Sequence, residues 1–145
     1  MISDEIVQGA PEEWLNALPE YHSKRILRME SAGTDLEQIA QAYLERVGPA
    51  DNAPYGVVEG AKQGYWEAVK GEVNKFVCGG PGYEDLRKQV EAGWEKGKTW
   101  IVSVVAAFIA SNIGVAAAVI LPVIAIAFAL VARIGVKAYC AMGDA

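Results

Sequence analysis

From Thr99 to Ala132 the chain runs for 34 residues without a charge, TWIVSVVAAFIASNIGVAAAVILPVIAIAFALVA. A bilayer core takes about 20 apolar residues in a helix, so this run exceeds one perpendicular span and falls short of two comfortable ones. Three readings follow. In the first, Val115–Ala132 is one span, and Trp100–Ser111 extends it as a tilted or interfacial helix. In the second, Ser111-Asn112-Ile113-Gly114 is the tip of a helical hairpin with arms of 12–18 residues. In the third, the run is the buried core of a soluble helical bundle.

The flanks bear on this choice. Lys96 and Lys98 precede the run and Arg133 and Lys137 follow it. Cations at both ends suit a hairpin whose ends stay on the cytoplasmic side. Trp94, Trp100 and Tyr139 sit where an aromatic belt would lie. Thirteen helical residues reach only about 20 Å, so short arms call for a thinned bilayer or a partner. Ala106, Ala110, Gly114 and Ala118 recur every four residues, and Ala125 and Ala129 form a second pair. Such rows let backbones approach closely where lipid supplies no driving force for association. Pro122 removes one backbone donor and is expected to kink the segment, which membrane helices tolerate.

Charge divides the chain in the same place. Residues 1–95 carry 17 acids against 9 Lys and Arg, and residues 96–145 carry 4 Lys and Arg against one acid, Asp144. Such an acidic body excludes a non-specific nucleic-acid coat, because phosphate neutralisation would work against it. The division predicts an acidic helical cytosolic domain over 1–95 and a membrane segment with basic flanks over 96–145. The chain-break signals lie at Cys78–Gly82, or alternatively at Lys96–Thr99. The N-terminus, MISDEIVQGAPEEW, has no basic and apolar leader pattern, so a cytoplasmic start is expected.

The first 95 residues read as helices with no period-2 strand. Pro11-Glu12-Glu13-Trp14-Leu15 has the chemistry of a helix start. Thr34-Asp35-Leu36-Glu37 matches a capping box, and Leu36, Ile39, Ala40, Tyr43 and Leu44 then form an amphipathic stripe. This helix is expected to end near Gly48-Pro49, with a turn at Asp51-Asn52-Ala53-Pro54. Val57, Val58, Ala61, Tyr65, Val69 and Val73 mark another helix, interrupted by four glycines. Beyond Cys78-Gly79-Gly80-Pro81-Gly82, the stripe Tyr83, Leu86, Val90, Trp94 leads toward Trp100. It predicts one helix running into the membrane segment, with Gly97 as a flexible joint. The whole is expected to be all-α: a helical cytosolic head followed by a transmembrane helix or short helical hairpin.

No catalytic set is legible, and the chain reads as a non-enzyme with no cofactor. His22 is the single histidine, which leaves no His-containing metal cluster or Ser-His-Asp set within one chain. Cys78 and Cys140 form no short motif and read as free thiols in a cytoplasmic protein. The Cys78–Gly82 loop lacks the GK[ST] ending of a phosphate cradle and reads as a turn. Glu12/Glu13 and Glu84/Asp85 stand at helix starts, where acids serve the dipole. One cluster has anion-binding chemistry: Lys24, Arg25 and Arg28, beside Tyr21 and His22. Guanidinium groups at i, i+3 suit phosphate; the alternative is a solvated face paired with nearby acids.

With Ser111-Asn112-Ile113-Gly114 at its middle, the run Trp100–Ala132 resembles the hydrophobic hairpin of pore-forming colicins. The layout of a short acidic head and a C-terminal apolar segment also resembles compact channel effectors of bacterial anti-phage systems, of the Hailong type. These resemblances imply a bacterial inner-membrane protein whose membrane part depolarises the cell. A cytosolic part would receive a nucleotide or oligonucleotide signal or a regulatory protein.

The expectation is therefore an oligomeric membrane pore or channel gated by its acidic head. The alternative is a soluble or membrane-anchored helical interaction module, of immunity or partner-subunit type. The expected partners are the lipid bilayer and further copies of the chain. The pore-lining and helix-packing candidates are Ser103, Ala106, Ala110, Ser111, Asn112, Gly114 and Ala118. No metal ligands are expected.

Overall fold

A computed structural model describes residues 2, 5–7, 9–47 and 59–143, apart from the side chains of 45–47, 59–65 and 143. These residues form α-helices and one short 3₁₀ turn, and no strand occurs among them. The helices are α1 (Pro11–Leu15), α2 (Glu20–Ser31), α3 (Leu36–Val47), α4 (Glu59–Cys78), α5 (Glu84–Gly93), α6 (Lys98–Ile113), α7 (Ala117–Ile134) and α8 (Val136–Gly143), with the 3₁₀ turn at Trp94–Lys96.

Local chemistry accounts for most of the boundaries. Pro11 occupies the first turn of α1, where its missing donor costs nothing. The Glu13 carboxylate accepts from the Ala10 N–H at 2.6 Å, so this acid serves the helix end, as does Glu84, which accepts from the Gly82 N–H at 3.1 Å. The cap of α3 lies one residue later than the Thr34 box: Leu36 opens the helix, and the Gln38 amide oxygen reaches back to the Asp35 N–H at 3.4 Å. Its stripe is buried as expected, with Leu36, Ile39, Ala40, Tyr43 and Leu44 all in the core. Val69 and Val73 of α4 are buried as well. The expected stop at Gly48-Pro49, the turn at Asp51–Pro54, and Val57 and Val58 lie outside the described residues.

Two expectations about the C-terminal half are corrected. The stripe from Tyr83 to Trp94 does not continue into the apolar segment as one helix. Gly97 sits at φ 113 after the 3₁₀ turn, a backbone region that favours glycine, so the expected joint is a corner between two separate helices. The apolar run is itself two helices, as the hairpin reading has it, with the turn shifted. Ser111, Asn112 and Ile113 belong to α6. Gly114 ends that helix at φ 89, and its N–H and that of Val115 both donate to the Ala110 carbonyl, at 2.8 and 3.0 Å.

The second arm occupies the middle of the protein. Ten of the 18 residues of α7 are buried, and it packs against α1, α3, α4, α6 and α8. Phe128 lies between Trp14 of α1, stacked at 5.0 Å between ring centroids, and Phe76 of α4, edge-on at 6.1 Å. One hydrophobic core takes in residues from both sides of position 95. Pro122 stands within α7. The carbonyl it leaves without a helical donor is that of Ala118, an exposed residue, which water can reach.

The cysteines, expected as free thiols, are joined. Cys78, the last residue of α4, and Cys140 of α8 form a disulfide with Cα atoms 5.5 Å apart. The 62-residue separation carries no local signal; the pairing arises because α8 turns back from α7 onto α4. The loop after α4 is also tied by Arg87, whose guanidinium donates to the carbonyls of Lys75 at 2.9 Å, Phe76 at 3.3 Å and Gly80 at 3.1 Å.

Candidate functional site

The element that stands out chemically is the α6–α7 hairpin. Its arms have 16 and 18 residues; α7 alone is long and apolar enough to cross a membrane, and α6 is a shorter apolar helix. All four flanking cations lie at the base of the hairpin: Lys98 and Arg133 at the outer ends of the arms, with Lys96 and Lys137 just beyond them, and no charge falls between Thr99 and Ala132. One face of α6 is buried, through Ile101, Val102, Val105, Ala106, Ile109 and Ala110. The outer face, with Ser103, Ala107 and Ser111 exposed and Trp100, Val104 and Phe108 half-buried, is uncharged.

Polar contacts hold this apolar unit at its ends. At the base of α6, the Thr99 hydroxyl donates to the Ala17 carbonyl at 3.2 Å, and Lys98 lies 4.0 Å from Glu13 and over the Trp14 ring. At the end of α7, Arg133 pairs with Glu30 of α2 at 2.9 Å. At the tip, Asn112 donates to the Tyr83 hydroxyl at 3.2 Å, and that hydroxyl donates to Glu72 of α4 at 2.9 Å. Lys75 completes the chain, 3.0 Å from Glu72.

This tip network shifts its own titrations. Burial works against the charge on Glu72, but the donors Lys75, Tyr83 and Asn112 outweigh it and hold the carboxyl below its ordinary range. Burial, with the Glu72 carboxylate beside it, pushes the Tyr83 phenol up to about 12 against the Asn112 donor. Nothing in the local sequence pattern marks Glu72, Tyr83 and Asn112 as a set; they come from α4, the loop before α5, and α6.

The residues singled out from sequence are divided by the fold. Ala106 and Ala110 face the core, Gly114 forms the turn, and Ala118 is exposed in the first turn of α7. The four-residue row is therefore not one helix face, because the chain reverses at Gly114. Ser103 and Ser111 share the outer face of α6, while Asn112 turns to Tyr83.

The basic cluster is partly committed to internal contacts. Lys24 pairs with Glu20 at 2.7 Å, and Arg25 lies over the Tyr43 ring at 5.5 Å. Arg28 follows on α2, exposed. His22 shares a hydrogen bond of 3.3 Å with the Tyr43 hydroxyl, and burial, followed by the Arg25 charge, holds its pKa low.

Among the described residues, two buried side-chain donors have no hydrogen-bond partner: the indole N–H groups of Trp14 and Trp66. An unmade hydrogen bond of this kind costs about 1–3 kcal/mol. Both indoles lie against α7 or close to it, Trp14 on Phe128 and Trp66 beside Ala127 and Leu130 in a cleft of about 210 Å³. The cations of that cleft are paired, Lys70 with Glu67 at 3.3 Å and Glu37 at 3.7 Å, and Arg133 with Glu30. Among the described residues no group of three or more His, Cys, Asp or Glu is placed to hold a metal ion. No protein-family model, curated protein or solved structure matches the chain.

Proposed function

We propose that this chain permeabilises a membrane, and that the folded bundle is its form before insertion. In this reading α6 and α7 leave the bundle as a hairpin and enter a bilayer, and several copies together line a pore. The observation that carries it is the hairpin itself: an uncharged stretch of 34 residues, folded back at Gly114, with every flanking cation at its base. At 1.5 Å per residue the arms reach about 24 and about 27 Å, against about 30 Å of bilayer core, a mismatch that modest thinning absorbs.

One chain offers two arms, too few to enclose a pore, so function calls for a closed homo-oligomer. Ser103 and Ser111 on the outer face of α6, with Asn112 once it leaves Tyr83, supply a narrow, weakly polar lining. The N-terminal helices control release, since α7 cannot leave while α1, α3 and α4 hold it. The resemblances to colicin hairpins and to anti-phage effectors favour a bacterial inner membrane as the target. The Cys78–Cys140 bond favours a folded state formed under oxidising conditions. A nucleotide signal at Lys24, Arg25 and Arg28 would have to displace Glu20 and the Tyr43 ring.

The burial of α7 favours a second reading, a helical interaction module in which α7 is a permanent core. Ala107→Glu separates the two. Ala107 is exposed in the bundle, so the substitution is expected to change stability by no more than about 0.5 kcal/mol. In a bilayer the same carboxylate, near the middle of α6, costs about 3 kcal/mol. Dye release from lipid vesicles by the full chain, lost in Ala107→Glu at unchanged melting temperature, supports insertion. Vesicles left intact by the wild-type chain under every condition favour the interaction module.

A further inference from the structure

We infer that the Cys78–Cys140 disulfide is a redox latch on the hairpin, opened when the protein meets a dithiol reductant. The inference rests on the reading of α6–α7 as a membrane-inserting unit, and it follows from where the bond lies in the chain. Cys78 ends α4, and Cys140 lies in α8, six residues beyond the end of α7. The covalent ring that the bond closes contains α5, α6 and α7 in full, while α1, α2 and α3 lie outside it.

The geometry makes the ring selective about which motions it blocks. The tip of the hairpin is held by contacts that water or lipid can replace: the Asn112–Tyr83–Glu72 hydrogen bonds, the Tyr83–Phe108 ring contact at 5.0 Å, and the packing of half-buried Ile113 and Val115. The C-terminal end of α7 is different. It is tied to α4 through Gly135 and α8, so with the bond closed Phe128 stays beside Phe76, whatever the tip does. The hairpin can rock outward from the tip but cannot withdraw. With the bond open, α7 and α8 are joined to the rest of the chain only through α6, and the corner at Gly97 becomes the single covalent hinge of the hairpin.

The chemistry needs an external dithiol, as a reducing compartment or an added reagent supplies. Its thiolate attacks Sγ of Cys78, the more exposed partner. The S–S bond breaks, and Cys140 leaves as a thiolate that takes up a proton. The second thiol of the reductant, as thiolate, then attacks the mixed disulfide, becomes the oxidised cyclic product, and releases Cys78 as a thiolate that is protonated in turn. Two electrons and two protons pass to the protein in all.

The test is dye release from phosphatidylglycerol-containing vesicles by the full chain, either oxidised or treated with dithiothreitol, and by Cys78→Ser/Cys140→Ser. The expected result is release at least tenfold slower for the oxidised chain than for the reduced one. The double variant is expected to match the reduced chain with or without dithiothreitol. Equal release by oxidised and reduced chains overturns the latch and leaves the insertion reading standing. Absence of release in all three overturns both. Far-UV circular dichroism before vesicles are added supplies the remaining check. A reduced chain that has already lost its helices overturns the latch, because the bond then holds the fold rather than the hairpin.

Discussion

Trp14 of the short first helix stacks on Phe128 at the centre of α7, ring centroids 5.0 Å apart and planes 25° from parallel. This contact joins residues 114 positions apart, and it makes the five-residue helix α1 a direct support of the most apolar element in the chain. With Phe76 on the other side, Phe128 is wholly buried between two rings.

Phe128→Ala removes that filling. A Phe-to-Ala change in a packed core costs about 3–5 kcal/mol, and collapse is hindered here because each flanking ring belongs to a different helix. Urea denaturation is expected to show a loss in this range at unchanged slope. A loss below about 1 kcal/mol would mean that α7 is not anchored at this point.

Gly114 is expected to tolerate substitution in order of left-handed propensity. No heavy atom lies within 4 Å of a Cβ built there, so the cost is backbone strain and not collision. Asn should be mildest, Ala should lose about 1–2 kcal/mol, and the β-branched Ile should lose most. Thermal melts of the three variants check the order. Equal losses would point to a steric cause.

The tip network predicts falling stability at both ends of the pH scale. Glu72 has a depressed pKa in the folded state, so its contribution is present above the unfolded value of 4.5 and is lost as pH falls through the folded value. Tyr83 has a raised pKa, so its contribution is complete below 10 and is lost as pH rises through about 12. Glu72→Gln should flatten the acid limb, and Tyr83→Phe the alkaline one. Denaturation midpoints measured across pH decide it, and parallel curves for wild type and variant would count against the assignment.

Arg25→Ala should raise the pKa of His22. Burial lowers it first and the Arg25 charge lowers it further, so removing the charge leaves only the first effect. The His22 titration, followed by NMR, should move toward 6.5 without reaching it. Loss of the contact with the Tyr43 ring should also reduce stability by about 0.5–1 kcal/mol. An unmoved titration would show that the guanidinium lies away from His22 in solution.

Parts of this architecture are legible in the sequence for identifiable reasons. The stripe of α3 is a local, periodic signal, and the structure buries each of its members. The charge-free run is equally plain, and a reversal near its middle is one of the three readings it allows. What periodicity does not carry is the depth at which an apolar helix sits. The same composition serves a membrane span and a bundle core, and α7 is enclosed because amphipathic helices distant in sequence close over it. The Gly97 corner is hidden from the sequence pattern because helical spacing can persist by residue type across a break that one positive φ imposes. The Cys78–Cys140 pairing and the Glu72–Tyr83–Asn112 chain are products of tertiary contact, with no spacing of their own.

The position of the disulfide also decides how the chain responds to cleavage. Ala116, Ala117 and Ala118 are exposed at the turn between the two apolar helices, where a protease with a preference for small residues finds its substrate. A cut there separates α1–α6 from α7–α8 along the backbone, yet the halves remain one molecule through Cys78 and Cys140. Nicking therefore converts a single-chain protein into a disulfide-linked two-chain one. It migrates as a single band on a denaturing gel until thiol is added, and its second chain carries the apolar helix with no turn left to fold it back.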